Sequence, residues 1–391
     1  MTLASINILS ILLFIVSLGL LVAIHEFGHF IMAKTFNVYV NEFSIGFGPQ
    51  LLHKKKGETT YSLRAIPLGG YVSMFGEGVE IEDGSVPKSR SLLGIKKWKR
   101  AIIMSAGIIL NFVLGFILFF INNAFFAQPY VTNQITVQEE SVAASMGLIT
   151  GDYIIKIEKT AFIDGNQKET IVTSDIDSDN PAKLWNEALA YVVEGENGYD
   201  FTPLTENDTM TLIITYVSEG SNTSDAKDVT ITLNAVINED QKTFGWSKMG
   251  ISTFYEYRRY ETMGDILKST NQEFADNTTL IAKTLGGLFV GKNWNEIGGP
   301  VSILTQSGEV LNNYGFGMYI YLWGAISVNL AIFNLLPFPG LDGWHLLVVI
   351  IEGIFRKEIP EKVKNIVSTI GMILLFGLMI FVTCKDIIGL F

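Results

Sequence analysis

The sequence is poor in the residues that cross-link a chain or hold a metal. One cysteine, Cys384, stands among 391 residues. That excludes an intramolecular disulfide and any cysteine-built zinc cluster. There are four histidines, His25, His29, His53 and His345, so a metal would have to be held by histidine and carboxylate. Charge is scarce as well. Asp, Glu, Lys and Arg make up 17% of the chain against 48% hydrophobic residues, too apolar a balance for an ordinary soluble domain. Cations are thin in the middle: residues 126–260 carry 9 Lys/Arg against 21 Asp/Glu, a balance of −12. The acidic middle argues against nucleic acid as a partner, because a phosphate backbone needs clustered cations. The acidic segment reads as a solvated surface.

Long apolar runs are what the chain does have. Residues 3–33 are nearly all apolar, long enough to cross a bilayer core of about 30 Å as a helix. The run lacks the basic start and the small-residue cleavage site of a secretory leader. Further apolar runs cover Ala101–Ile121, Met318–Leu336 and about 366–383. The intervening charge sets an expected orientation. Residues 34–101 hold 11 Lys/Arg against 6 Asp/Glu, so by the positive-inside rule they are cytoplasmic and the N-terminus lies outside. The basic loop "RKEIPEKVK" before the last run is cytoplasmic by the same rule. Residues 262–295 are amphipathic without a spanning run, and read as an interfacial helix. "EIGGPVSI" (296–303) is a Gly-Pro turn that restarts a helical pattern. A short apolar helix is expected over about 344–355.

The acidic middle reads as β-rich. "YIIKI" (153–157), "TLIITYV" (211–217) and "VTITLNAV" (229–236) are β-branched and partly alternating. "PAKLWNEALAYVV" (181–193) predicts a short amphipathic helix.

Inside the first apolar run stands "HEFGH". His25 and His29 are four residues apart and share one helix face, with Glu26 between them. In the pattern H-E-x-x-H two histidines bind zinc and the glutamate is the general base. The pattern alone is only moderately specific. Its context sharpens it, because charged groups within a span cost a few kcal/mol each and mark functional sites. The bland alternative is a polar packing interface between helices. Glu26 lies eight residues before Lys34, about 12 Å along the axis, in the cytoplasmic half of the membrane. Catalytic zinc takes three protein ligands and keeps one position open. Asp342, in the "NLLPFPGLDG" stretch (334–343), is the best candidate for the third. Its depth matches, and irregular backbone at membrane depth is tolerated only inside protein or along a water-filled cavity. A helix N-cap is the alternative role for Asp342, and His345 is the second candidate ligand. His53 reads as a solvated residue of a basic loop. Ser105, Ala106 and Gly107, just before Asn111, would permit close helix packing.

Taken together, "HEFGH", "FSIGFGP" (43–49), "RAIPLGGYV" (64–72), the small residues before Asn111, "IGGPVSI" (297–303) and "NLLPFPGLDG" resemble the site-2 protease family of intramembrane zinc metalloproteases. Within it, the chain is similar to the bacterial regulator of sigma E protease group, and the likeness covers most of the chain. The resemblance implies a polytopic α-helical membrane protein of about four transmembrane helices in the bacterial plasma membrane. It implies Zn2+ held by His25, His29 and Asp342, with Glu26 as catalytic base. Asn334, Pro337 and Pro339 would shape the substrate groove. "PLGGYV" would belong to a membrane-dipping β-hairpin beside the site, with Gly69 and Gly70 at a turn and Tyr71–Val72 on an edge strand able to hold an unwound substrate by strand addition. "MGLITGDYIIKI" (146–157) resembles the start of a PDZ domain, and the insert has room for one. Its long polar stretch 160–210 suits a size filter. Trp344–His345 depart from the family, which has Gly and a basic residue there. The expected organisation is residues 1–125 with two spans and the hairpin, 126–260 as an extracytoplasmic PDZ-like domain, 261–317 as an interfacial segment, and 318–391 with two further spans. The expected partners are lipid and a single-span membrane-protein substrate, such as an anti-sigma factor or a signal-peptide remnant. Three other classes compete. A metal transporter needs more intramembrane ligands than the spans offer. A scaffold on an inert anchor leaves the polar triplet unexplained. A tethered ectoprotease would need histidines in 126–260, and there are none.

Overall fold

The computed structural model describes residues 8–76, 86–163, 166–174, 209–218, 220–221, 223–237, 242–244, 249–289 and 298–388. In chain order the elements are α1 (Ile8–Thr35), β1 (Val40–Lys56), β2 (Thr59–Met74), α2 (Lys97–Phe125), β3 (Gln128–Val137), α3 (Val142–Ser145), β4 (Tyr153–Ile163), β5 (Asn166–Ser174), β6 (Thr209–Val217), β7 (Lys227–Ile237), β8 (Lys242–Phe244), β9 (Ile251–Arg258), α4 (Met263–Phe289), α5 (Pro300–Leu335), α6 (Asp342–Phe355) and α7 (Glu361–Ile388). They form two compact units, one of residues 1–127 with 259–391, the other of residues 128–258.

Four helices of the first unit, α1, α2, α5 and α7, are long and apolar enough to cross a membrane. α2 is the central one, packing against α1, α4, α5 and α6. Phe14 and Leu21 of α1 bury themselves against Tyr319 and Trp323 of α5. α5 is broken at Gly315, whose φ of 81° and ψ of −175° leave the helical region; the apolar run begins just beyond this break. α4 lays Phe274 edge-on against Phe112 and Phe116 of α2. α7 buries only Gly371 and Val382, and its exposed isoleucines, leucines and phenylalanines suit a lipid-facing surface.

Between α1 and α2 the chain forms a bent two-stranded ribbon. β1 and β2 pair with register shifts, so that Phe43–Ile45 face Tyr61–Leu63 on one side and Gly70–Val72 on the other. The connection is at Gly57 and Glu58, where Gly57 has φ +64°, and Glu58 is held by Lys34 at 2.6 Å and Arg90 at 2.8 Å. The ribbon displays apolar side chains outward: Phe47, Leu51, Leu52, Leu63 and Ile66 are all exposed. At its root Val38, Val40 and Met74 join Ala33 of α1 and Ile103 of α2 in a buried cluster.

The second unit is a seven-stranded sheet in the order β8-β7-β6-β4-β3-β9, with β5 paired to β4. The β-branched runs noted above lie in β4, β6 and β7. Alternate residues of β6 are buried, as period-2 patterning requires, and Met210, Leu212 and Ile214 meet Ile154, Ile157 and Ile231 in one core. β3 and β9 are antiparallel neighbours with Gln128 opposite Arg258, so the unit's two ends lie side by side. The helix expected over 181–193 lies outside the described residues.

Candidate metal centre

α1 sets His25 and His29 one turn apart, both buried, with their Nε2 atoms 3.3 Å from each other. Each ring is held from behind by α2. His29 Nδ1 donates to the Ile103 carbonyl at 2.8 Å, which leaves Nε2 with its lone pair. His25 Nδ1 lies 3.0 Å from the Asn111 amide. Amide oxygen and nitrogen exchange places by a half-turn. With Oδ1 toward the ring, Asn111 accepts from Nδ1–H, its buried oxygen gains a partner, and His25 Nε2 is also free to ligate. Gly107 stands where the rings meet α2: a Cβ there would overlap His29 Nε2 and come within 2.8 Å of His25.

Asp342 arrives from the other end of the chain. It is the first residue of α6, after a turn in which Leu341 N–H donates to the Phe338 carbonyl at 3.1 Å. Gly340 takes φ +102° there, open to glycine and strained for other residues. Asp342 Oδ2 lies 2.9 Å from His25 Nε2 and 3.2 Å from His29 Nε2. One ligand atom from each residue falls within a sphere of mutual distances under 4.8 Å, and among the described residues this is the group of histidine, cysteine and carboxylate able to hold a metal ion. His345 does not join it. His53 lies exposed in β1, in a strand rather than a loop.

Glu26 is half-buried on the adjoining part of α1. It faces the ribbon: a Cβ on Gly70 would meet Glu26 Cγ at 3.2 Å and the Ser44 carbonyl at 2.8 Å. Gly69 and Gly70 therefore do not form the expected turn. They sit inside β2, and they are small because the Phe47 ring covers Gly69 and α1 presses on Gly70. Residues 70–73 pair with 42–45 on one side only, among the described residues. Tyr71 is tied within the ribbon. Its hydroxyl donates to Glu42 Oε2 at 2.8 Å, and its ring stacks on Phe47 with centroids 6.4 Å apart. Burial would raise the Glu42 carboxyl, but hydrogen bonds from Ser62, Arg64, Tyr71 and Gln50 outweigh it and bring its pKa down to about 2. Asn334 is half-buried in the last turn of α5. Pro337 is exposed and Pro339 half-buried in the turn leading to Asp342. The partner of His25 was not legible beforehand; an asparagine in mid-span was the only signal. The Ile103 carbonyl leaves no trace in a sequence.

A bundle of membrane-length helices that gathers two histidines and an aspartate around one point, with a glutamate beside it, defines a membrane protein with a metal-hydrolase type of centre. The model of peptidase family M50 matches residues 13–378, and this chain belongs to that family. Relatives are similar over nearly their whole length. A Clostridium perfringens protein named "Putative zinc metalloprotease" is 34% identical over 374 residues, 94% of this chain and 95% of its own. One of the same description from Agrobacterium fabrum is 31% identical over 393 residues, 96% and 95%. "Probable protease eep" of Enterococcus faecalis is 29% identical over 461 residues, 97% and 98%.

Proposed function

We propose that this peptidase cleaves peptide bonds within transmembrane segments of single-span membrane proteins. It is a zinc metalloprotease, in keeping with its family and the names of its relatives. The residues present fit the ion. Two imidazoles with their Nδ1 atoms engaged and one carboxylate form a ligand set used by catalytic zinc, and Asp342 Oδ2 is buried beside the two Nε2 atoms with no hydrogen-bond donor among the described residues. Zinc supplies a Lewis acid that polarises the scissile carbonyl and acidifies the attacking water. Glu26 takes the proton of that water and passes it to the leaving amine. The α1 scaffold keeps Glu26 beside His25, and β2 closes over it at Gly70. A helical substrate hides its carbonyls in i to i−4 bonds and must unwind first. The one-sided pairing of residues 70–73 supports strand addition as the means of holding the unwound segment. Asn334, Pro337 and Pro339 lie within eight residues of Asp342, and their nearness in the chain supports a part in shaping the groove.

The exposed apolar face of the ribbon supports a membrane-dipping placement. The basic balance of residues 34–101 supports a cytoplasmic-side site, with the N-terminus and residues 128–258 on the outer face. The sheet unit and its "MGLITGDYIIKI" stretch support a PDZ-like reading, acting as a filter that admits substrates already shortened outside. Anti-sigma factors and signal-peptide remnants have that form.

The observation that carries this reading is the meeting of His25, His29 and Asp342 next to Glu26 on a membrane-length helix. The test is cleavage of a co-expressed single-span reporter by wild type and by Glu26→Gln. The variant should bind zinc as wild type does and lose at least about 10²-fold in cleavage. Equal cleavage by both would sink the proposal.

A further inference from the structure

One stripe of α2 backs both histidines of the centre and reaches the helix that carries Asp342. Arg100, Ile103, Gly107 and Asn111 recur at three- and four-residue spacing and so share a face. Ile103 holds His29, Asn111 holds His25, and Gly107 leaves the imidazoles their room. The fourth member, Arg100, does not touch the centre. Its guanidinium lies 3.4 Å from Glu352, which belongs to α6, the helix that begins at Asp342.

Glu352 has no exposed surface, and its polar atoms are fully engaged. Oε1 accepts from Lys364 Nζ at 2.5 Å and from the Ile359 N–H at 3.0 Å. Its backbone carbonyl accepts from Lys97 Nζ, again on α2, at 2.5 Å. A buried ionic cluster of this kind adds little net stability over apolar packing, and in some systems its use is to specify one register between elements. The register matters here. Asp342 and Glu352 are ten residues apart on one helix, about 15 Å along its axis. A slide or rotation of α6 on α2 that broke the Glu352 contacts would carry Asp342 with it, away from His25 and His29.

We infer that Glu352, clamped to α2 by Arg100 and Lys97, is a positioning residue that sets α6 in register and so delivers Asp342 to the two histidines. α2 is then the common template for all three ligands, acting on two directly and on the third through a contact at the far end of its helix. The inference rests on reading Asp342 as a zinc ligand.

Zinc affinity tests both, separately. Full-length wild type, Asp342→Asn, Glu352→Gln and the double variant are purified in detergent and titrated against a chromophoric chelator. Asp342→Asn should bind zinc more weakly than wild type; equal affinity would instead refute the ligand reading. Glu352→Gln should lose about tenfold, the lower end of effects from groups that orient ligands. In the Asp342→Asn background the same change should cost nothing further, because its effect passes through the missing ligand. Wild-type affinity in Glu352→Gln, or a double variant whose loss is the product of the two single losses, would overturn the inference. If Glu352→Gln does not accumulate, Arg100→Gln and Arg100→Lys replace it. The first should lose zinc affinity and the second, which keeps the charge, should retain it; the same result from both counts against the inference.

Discussion

Two ring nitrogens decide whether His25 and His29 can present lone pairs to a metal, and each is settled by a partner on α2. For His29 the partner is a main-chain carbonyl, which no side-chain substitution removes. For His25 it is the Asn111 side chain, which can be removed. Asn111→Ala leaves Nδ1 without its acceptor and the ring free to take the tautomer that blocks Nε2. Zinc affinity is expected to fall by about 10- to 100-fold, with the fold intact. Chelator competition together with far-ultraviolet circular dichroism checks this; unchanged affinity would mean that the Asn111 contact does not orient the ring. The H-E-x-x-H face was legible because helix periodicity makes i and i+4 neighbours in any context. The part of Asn111 was not, because which of many polar side chains will face a given ring depends on how two helices are rotated against each other.

Among the elements, the start of α5 depends on a residue from the end of α7. Asp386 Oδ2 accepts from the Gly299 and Ser302 N–H groups, both at 2.9 Å, satisfying N–H groups that a helix leaves open at its first turn. The carboxylate also suits the positive end of the helix dipole. Asp386→Ala should cost about 1–2 kcal/mol, read as a lowered midpoint of thermal unfolding in detergent. An unchanged midpoint would show that water replaces the cap. The Gly-Pro turn announced the helix start, since proline suits a first helical position; the cap, 87 residues further on, could not be read there. The β1–β2 ribbon offers a pH test. Glu42 ionises at about 2 in the fold against 4.5 in an unconstrained chain. A depressed pKa contributes stability that is present above about pH 4.5 and drains away as pH falls toward 2. In metal-free protein, the gap in unfolding midpoint between wild type and Glu42→Gln should narrow from pH 5 to pH 3. A gap that stays constant over that window would exclude an ionised Glu42 as the ribbon's fastening. The ribbon also shows where local reading goes astray. Gly-Gly suggests a turn by its backbone freedom, yet at Gly69 and Gly70 the cause is lack of space beneath Phe47 and beside Glu26.

At the scale of the molecule, the sheet unit has its own core and adjoining ends. Residues 128–258 expressed alone should therefore unfold cooperatively, as an independent domain does, and a full-length chain with this segment replaced by a short Gly-Ser linker should keep wild-type zinc affinity. If zinc binding is lost with the segment, the two units are energetically one. If it persists, comparing cleavage of long and shortened reporters tests the filter. By itself the sequence determined the membrane class, four helices of membrane length, the H-E-x-x-H face of the first helix and the candidacy of Asp342, because hydropathy, helical period and the cost of charge in lipid act locally and leave their mark in any short window. Only the tertiary structure decided what surrounds those residues: the α2 stripe behind the histidines, the Arg100–Glu352 contact at the far end of α6, and β2 pressed over Glu26. Each of these joins residues tens to hundreds of positions apart, and close packing selects such pairs through shape and rotation, for which a sequence has no period.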